Sequence, residues 1–164
     1  MTIWLADDVA SEMERLGSIY YPLETGGMLL GWRDGRDRIA TGLIGPGPHA
    51  LHGRYTFAPD GGWQRARLRD IFSATAGDLD YLGDWHTHPD GVAVMSELDR
   101  RTLSKIERRV RVPLMVILAG AENKWDIGSW LGSKSGYLTR VSASEEETKV
   151  FDAPTGWPVT LHVD

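Results

Sequence analysis

Between Tyr81 and Ala119 the chain spells out a strand, a helix and a second strand in immediate succession. That order restricts the possible folds more than any other feature. Tyr81 to Thr87 reads as a strand in which Asp84, His86 and His88 share one face while Trp85 and Thr87 point the other way. Asp90-Gly91 is a turn. Ser96-Glu97-Leu98-Asp99 is a capping-box pattern that opens a helix over about 97–110, with Leu98, Leu103, Ile106 and Val110 as its apolar positions. Pro113 to Ala119 then runs without a polar side chain and reads as a buried strand. Strands and helices interleaved in this way predict a mixed α/β (α+β) domain, one central mixed sheet with flanking helices.

The same stretch carries the chemistry. His86-Thr87-His88-Pro89 is followed by Ser96 and Asp99. At about 3.3 Å per strand residue, His86 and His88 start roughly 7 Å apart on one face. Imidazoles of that reach can converge on one ion with Zn–N near ~2.1 Å. Asp99 can supply a third ligand and leave the fourth position to water, which is the catalytic type of zinc site rather than the closed structural type. Asp99 also falls in the first turn of a helix, where the macrodipole favours the charged carboxylate a metal needs.

Composition excludes several rival chemistries. The chain has no cysteine, which removes disulfides, thiolate zinc sites and cysteine proteases, and also the zinc base deaminases with their Pro-Cys-x-x-Cys pair. Its 164 residues predict one domain. A net charge of −5 gives no basic footprint for nucleic acid. Met1 to Asp8 has neither a basic region nor a long apolar run, and no stretch approaches the ~20 apolar residues of a membrane span. The expectation is a cytoplasmic enzyme with no membrane and no nucleic-acid partner.

Elsewhere the pattern is coarser. Asp7 or Asp8 can cap a helix over roughly 8–21, with Val9, Met13, Leu16 and Tyr20 as its stripe and Pro22 as its stop. Strands are expected at Met28 to Trp32 and about Arg38 to Ile44, joined by the turn Arg33-Asp34-Gly35-Arg36, with a possible short strand at Arg54 to Ala58. Gly45 to His49 is irregular. Asp60 can cap a helix over about 61–76 whose apolar face is Leu68, Ile71, Phe72 and Thr75. Trp125 to Leu131 and Tyr137 to Val141 read as two more strands. Residues 1–141 are assigned to the domain and 142–164 to a C-terminal extension packed on it or trailing from it. Trp63, Trp125 and Trp130 fit core faces, Trp157 an exposed one, and His49, His52 and His162 read as bystanders.

The two motif blocks carry a family resemblance. His86-x-His88, seven residues, Ser96, two residues, Asp99 resembles the JAMM motif of the JAB/MPN metalloprotease family. Glu24-Thr25-Gly26-Gly27-Met28-Leu29-Leu30-Gly31 is similar to that family's upstream Glu-x-Gly-Gly-x-Leu-x-Gly. Taken alone, Glu24 reads as a solvated loop carboxylate. The resemblance instead implies a general base that takes a proton from the metal-bound water and passes it to the leaving amine. It likewise implies that Ser96 donates its hydroxyl to the oxyanion, a role compatible with capping because capping uses the oxygen as acceptor. Asp84 is either a partner that orients a histidine ring or a strand-edge charge. The resemblance implies one zinc per chain and a peptide or isopeptide bond after the C-terminal tail of a ubiquitin-like protein. It is nearest to the deconjugating peptidases of anti-phage defence operons, whose substrate is a cyclase tail conjugated to another protein. A RadC-like protein of DNA metabolism shares part of the motif, but Met95 stands before Ser96 where such members show Pro. A non-catalytic MPN scaffold would lack the ligands that this chain keeps.

Overall fold

A computed structural model describes residues 1–134, 141–154 and 162–163 of the chain. The apolar run forms β7 (Leu114–Ala121), in which residues 114 to 119 are all buried. On one side β7 lies parallel to β6 (Asp80–Pro89), with His86 opposite Ile117 and His88 opposite Ala119. Parallel neighbours need a crossover, and α3 (Glu97–Ile106) supplies it. On its other side β7 pairs antiparallel with β8 (Lys124–Lys134).

The rest of the sheet is built outward from this centre. β2 (Gly26–Asp34) pairs antiparallel with β6, placing Gly26 opposite His86. A turn at Gly35 and Arg36 returns the chain as β3 (Asp37–Ile44), and Gly35 takes the positive φ of 56° that this turn requires. A small hairpin, β4 (Leu51–His52) with β5 (Phe57–Ala58), stands apart from the main sheet. Two strands join the sheet from the far ends of the sequence. β1 (Thr2–Ala6) pairs parallel with β3, and also parallel with β9 (Val141–Phe151), which pairs antiparallel with β8. The order β1-β9-β8-β7-β6-β2-β3 therefore closes on itself through β1. β10 (His162–Val163) adds to β3.

The two faces of β7 sort the helices. Leu114, Val116 and Leu118 pack with Ile3, Leu5, Leu29 and Trp85 against Val9, Met13 and Leu16 of α1 (Asp7–Tyr20). Met115 and Ile117 pack with Trp130 against Leu103 and Ile106 of α3 and Val110 just beyond it. Each such aliphatic side chain, fully buried, contributes about 1.5–3 kcal/mol. α2 (Gly61–Ala74) covers the β2–β3 flank, where Ile71 meets Leu30, Ile44 and Leu79. No described helix is long and apolar enough to cross a membrane.

The mixed sheet with flanking helices is as expected, and several details differ. β1 was not anticipated. Residues 142–151, expected in a peripheral tail, form β9 inside the sheet, because the acidic run Glu145-Glu146-Glu147 alternates on a strand paired on both sides. Tyr137 to Arg140 and Trp157 lie outside the described residues. α1 has no side-chain cap: its N-cap is Ala6, while Asp7 and Asp8 accept from the amides immediately after them in the first turn. Leu98 and Phe72, expected to be apolar contacts, are 56% and 46% exposed. Leu98 sits beside the cap, too early in α3 to reach β7, and of the expected face of α2 it is Ile71 that enters the core.

Candidate metal centre

The alternation along β6 builds the site. Trp85 and Thr87 point into the α1-side core, both essentially fully buried. His86 and His88 therefore face the α3 side, where the N-terminus of α3 meets them. There Ser96 caps the helix: its Oγ accepts from the Asp99 amide at 3.1 Å, and Asp99 Oδ2 accepts from the Ser96 amide at 2.7 Å. This reciprocal capping box fixes the Asp99 carboxylate in the first turn of α3.

The three expected ligands converge. His86 Nε2 lies 3.0 Å from Asp99 Oδ1, His88 Nε2 lies 3.3 Å from Asp99 Oδ2, and the two Nε2 atoms are 3.0 Å apart. His88 Nδ1 donates to the Val92 carbonyl at 3.0 Å, which leaves the Nε2 lone pair aimed at the shared point. Two imidazole nitrogens and a carboxylate within 4.8 Å of one another are a donor set that fits a divalent cation with an open position. Burial works against the charge on Asp99, yet hydrogen bonds from His86, His88 and Ser96 hold its carboxyl far below the usual range. His88 shifts the other way: burial opposes its charged form, but Asp99, the Val92 carbonyl and Glu24 outweigh that and raise its pKa.

Glu24 is brought to the same place by β2. Gly26 lies opposite His86, and Thr25 extends the pairing: its amide donates to Thr87 Oγ1 at 3.0 Å, and the Thr87 amide donates to its carbonyl at 2.9 Å. The next residue back is Glu24, half-buried beside the histidines. Burial raises its carboxyl pKa, the histidines pull it down, and Asp99 adds to the rise, for a net increase. The close approach of β2 to β6 explains Gly26, where a Cβ would stand 2.9 Å from His86 Cβ and closer still to the Trp85 carbonyl, while a Cβ on Gly27 would meet the Ile44 carbonyl of β3. Ser96 is exposed at the rim; its Oγ accepts from the Asp99 amide, and among the described residues its hydroxyl proton is donated to nothing.

Asp84 shares the face of the histidines, but among the described residues no hydrogen bond joins it to either ring. It accepts from the Tyr81 hydroxyl at 2.6 Å. Burial raises its pKa to about 6, against the opposing pull of Tyr81 and His86, and burial with the adjacent Asp84 raises that of Tyr81.

One residue near the site was read as a bystander. His52 stacks on Tyr20 with ring centroids 3.8 Å apart, and its Nδ1 donates to the Glu24 carbonyl at 2.9 Å. The Glu24 amide donates to the Gly53 carbonyl at 2.8 Å, so the β4–β5 hairpin grips the backbone of Glu24 from both sides. Nothing in the Gly/Pro-rich run around His52 signals this. The only available cue is the aromatic Tyr20 at the end of the α1 stripe.

Comparison with known proteins agrees with this geometry. A profile described as prokaryotic homologs of the JAB domain matches residues 7–130. The chain is 35% identical over 137 residues to a Sinorhizobium fredii protein named probable metalloprotease y4qB, covering 79% of this chain and 83% of that one. It is 29% identical over 121 residues to a Vibrio cholerae protein named CD-NTase/cGAS isopeptidase, 72% of each chain, and 29% identical over 107 residues to an Escherichia coli protein of the same name, 65% of this chain and 67% of that one. The solution structure of a Desulfitobacterium hafniense protein superposes with a TM-score of 0.71 at 23% identity, over 95% of this chain and 97% of that one, and shows the same fold.

Proposed function

Because the chain belongs to the prokaryotic homologs of the JAB domain, we propose that it is a JAMM-type zinc peptidase that hydrolyses a peptide or isopeptide bond at the C-terminal tail of a protein. The observation that carries this reading is the meeting of His86, His88 and Asp99 at one point. A zinc ion held there supplies a Lewis acid and lowers the pKa of water towards about 7. Glu24, its proton affinity raised by burial, accepts the proton of the attacking water. The water oxygen adds to the carbonyl carbon, the C–N bond breaks, and Glu24 returns the proton to the departing amine. Ser96 Oγ–H donates to the carbonyl oxygen as charge develops on it.

The relatives lend support to a substrate class. Proteins from Vibrio cholerae and Escherichia coli are named CD-NTase/cGAS isopeptidases, which supports a conjugated cyclase or ubiquitin-like tail as the acyl side of the bond and deconjugation in anti-phage defence as the setting. A non-catalytic scaffold has no use for a converged ligand set.

The test is cleavage of a cyclase or ubiquitin-like protein carrying a C-terminal fusion, followed by mass spectrometry. A single cut at the end of the tail is expected, abolished by chelator and restored by zinc, with about one zinc per chain. Full zinc occupancy in His86→Ala/His88→Ala, or cutting that persists in chelator, would overturn the assignment.

A further inference from the structure

The net charge of −5 conceals a strongly cationic region. At the end of β6 remote from the histidines, a cavity of about 1360 Å³ opens between α2, α3 and the β2–β3 hairpin. Arg33, Arg36 and Arg38 line it from the hairpin side, and Arg108, Arg109 and Arg111 from the turns after α3. Arg65 and Lys105 face it from the two helices, so eight of the chain's 18 Lys and Arg residues surround one cavity. Among the described residues that line it the only carboxylates are Asp80 and Asp84. None of the eight cations makes an ion pair among the described residues, whereas exposed cations elsewhere, such as Arg54, Arg67 and Lys149, do.

One of the eight is not a surface charge. Arg38 is 4% exposed. Its terminal nitrogens donate to the backbone carbonyls of Arg36, Asp37 and Val112, and its Nε, also buried, has no partner among the described residues. A buried guanidinium without a carboxylate is costly, and burial together with the like charge of Arg33 lowers its pKa despite Asp37. An anion entering the cavity would relieve both the rim repulsion and this internal charge.

We propose that this cavity is a docking site for an acidic segment of a protein partner, Asp/Glu-rich with an aliphatic anchor. Charge complementarity names the acidic part. The aliphatic part follows from Met28, Leu68, Ile106, Val110 and Val112, which are among the apolar residues of the lining. Among the described residues Tyr81 is the cavity's only aromatic side chain, and it is engaged with Asp84, so they offer no stacking platform of the kind typical of single-stranded nucleic-acid sites. From Tyr81 to His88 along β6 is roughly 20 Å. A partner seated here leaves the metal centre open, and its own tail reaches the histidines as an extended segment of about six residues. The site thus deepens the peptidase reading, on which it rests for the nature of the partner: it selects which protein is held while its tail is cut.

The test is a binding measurement on the full chain that does not depend on cleavage. Fluorescence anisotropy of a short fluorescein-labelled peptide of Glu, Asp and Leu should show salt-sensitive binding, absent for a peptide in which Lys replaces the acids. Arg36→Glu/Arg109→Glu should weaken it by about tenfold or more, with zinc content and melting temperature unchanged, since both residues are exposed. His86→Ala/His88→Ala should bind as the wild type does, which separates failure of this site from failure of the peptidase reading. Absence of binding at low salt, equal binding by the Arg variant, or tighter binding of a single-stranded DNA oligonucleotide of equal charge would each overturn the proposal.

Discussion

Ser96 offers a sharp test because its two roles make different demands on the same oxygen. As the N-cap of α3 it accepts from the Asp99 amide. As an oxyanion donor it must give a proton that no described residue holds. Ser96→Ala removes both functions. Loss of a cap costs about 1 kcal/mol, which lowers Tm by about 2–4 °C in a chain of this length. Against a stability of about 5–15 kcal/mol this leaves the protein folded at the assay temperature. The Asp99 carboxylate keeps its bond from the Ser96 backbone amide in every variant, so the metal ligands stay oriented and zinc content should not change. Loss of an oxyanion donor, by contrast, lowers kcat by about 10²–10³. Ser96→Gly separates the effects, because glycine at an N-cap costs only a few tenths of a kcal/mol and supplies no hydroxyl. The expected result is near-native Tm with kcat reduced by about two orders of magnitude or more for Ser96→Gly, and partial recovery for Ser96→Thr. Tm by calorimetry, zinc by elemental analysis and kcat on the fusion substrate would be measured on all three. If Ser96→Gly retained kcat within about threefold, the residue would be a cap alone and the oxyanion would need another donor.

Three further outcomes follow from the same geometry. Glu24→Gln should keep zinc and lose turnover by about 10²–10⁴; wild-type turnover in that variant would transfer the base role elsewhere. Gly26→Ala should lower both Tm and zinc affinity, because its methyl group would press on His86 Cβ and the Trp85 carbonyl; an unchanged Tm would show that β2 and β6 are looser than described. Hydrogen bonds from the Thr2 amide and the Trp4 indole hold the Asp37 carboxyl below its usual range. The stability this contributes is present above the unfolded carboxylate pKa and is lost as pH falls through the lower folded value. Acid titration of Tm should therefore be steeper below about pH 4 for the wild type than for Asp37→Asn, and parallel curves would refute the linkage.

What was legible in the sequence was local. His86, His88, Ser96 and Asp99 lie within one strand–turn–helix step, so their spacing, the capping box and the apolar run of β7 could be read without knowing the rest of the chain. What was not legible depended on partners far away in sequence. Thr2–Ala6 is too short to announce a strand, and its pairing with Glu147 to Phe151 spans most of the chain. β9 is acidic rather than apolar, so its place in the sheet is set by its neighbours and not by its own hydrophobicity. His52 acts on Glu24 through a backbone carbonyl, a contact that leaves no trace in residue type. The net charge misled in a related way, because a sum over the chain hides cations gathered at one end of it.

Closure of the sheet through β1 sets the order in which the protein can be completed. β1 is synthesised before its partner β9, with β2 to β8 between them, so the edge of β1 that β9 takes waits unpaired while the rest of the sheet is made. The candidate metal ligands on β6 and α3 emerge well before that. Contacts of such long sequence separation slow folding, and an unpaired strand edge is a template for wrong pairing with other chains. The acidic strand β9 is therefore the latch of the domain. Its like charges discourage a second nascent chain from taking the place of β9, and a ribosome stalled before residue 141 would hold a complete ligand set on a sheet still open at two edges.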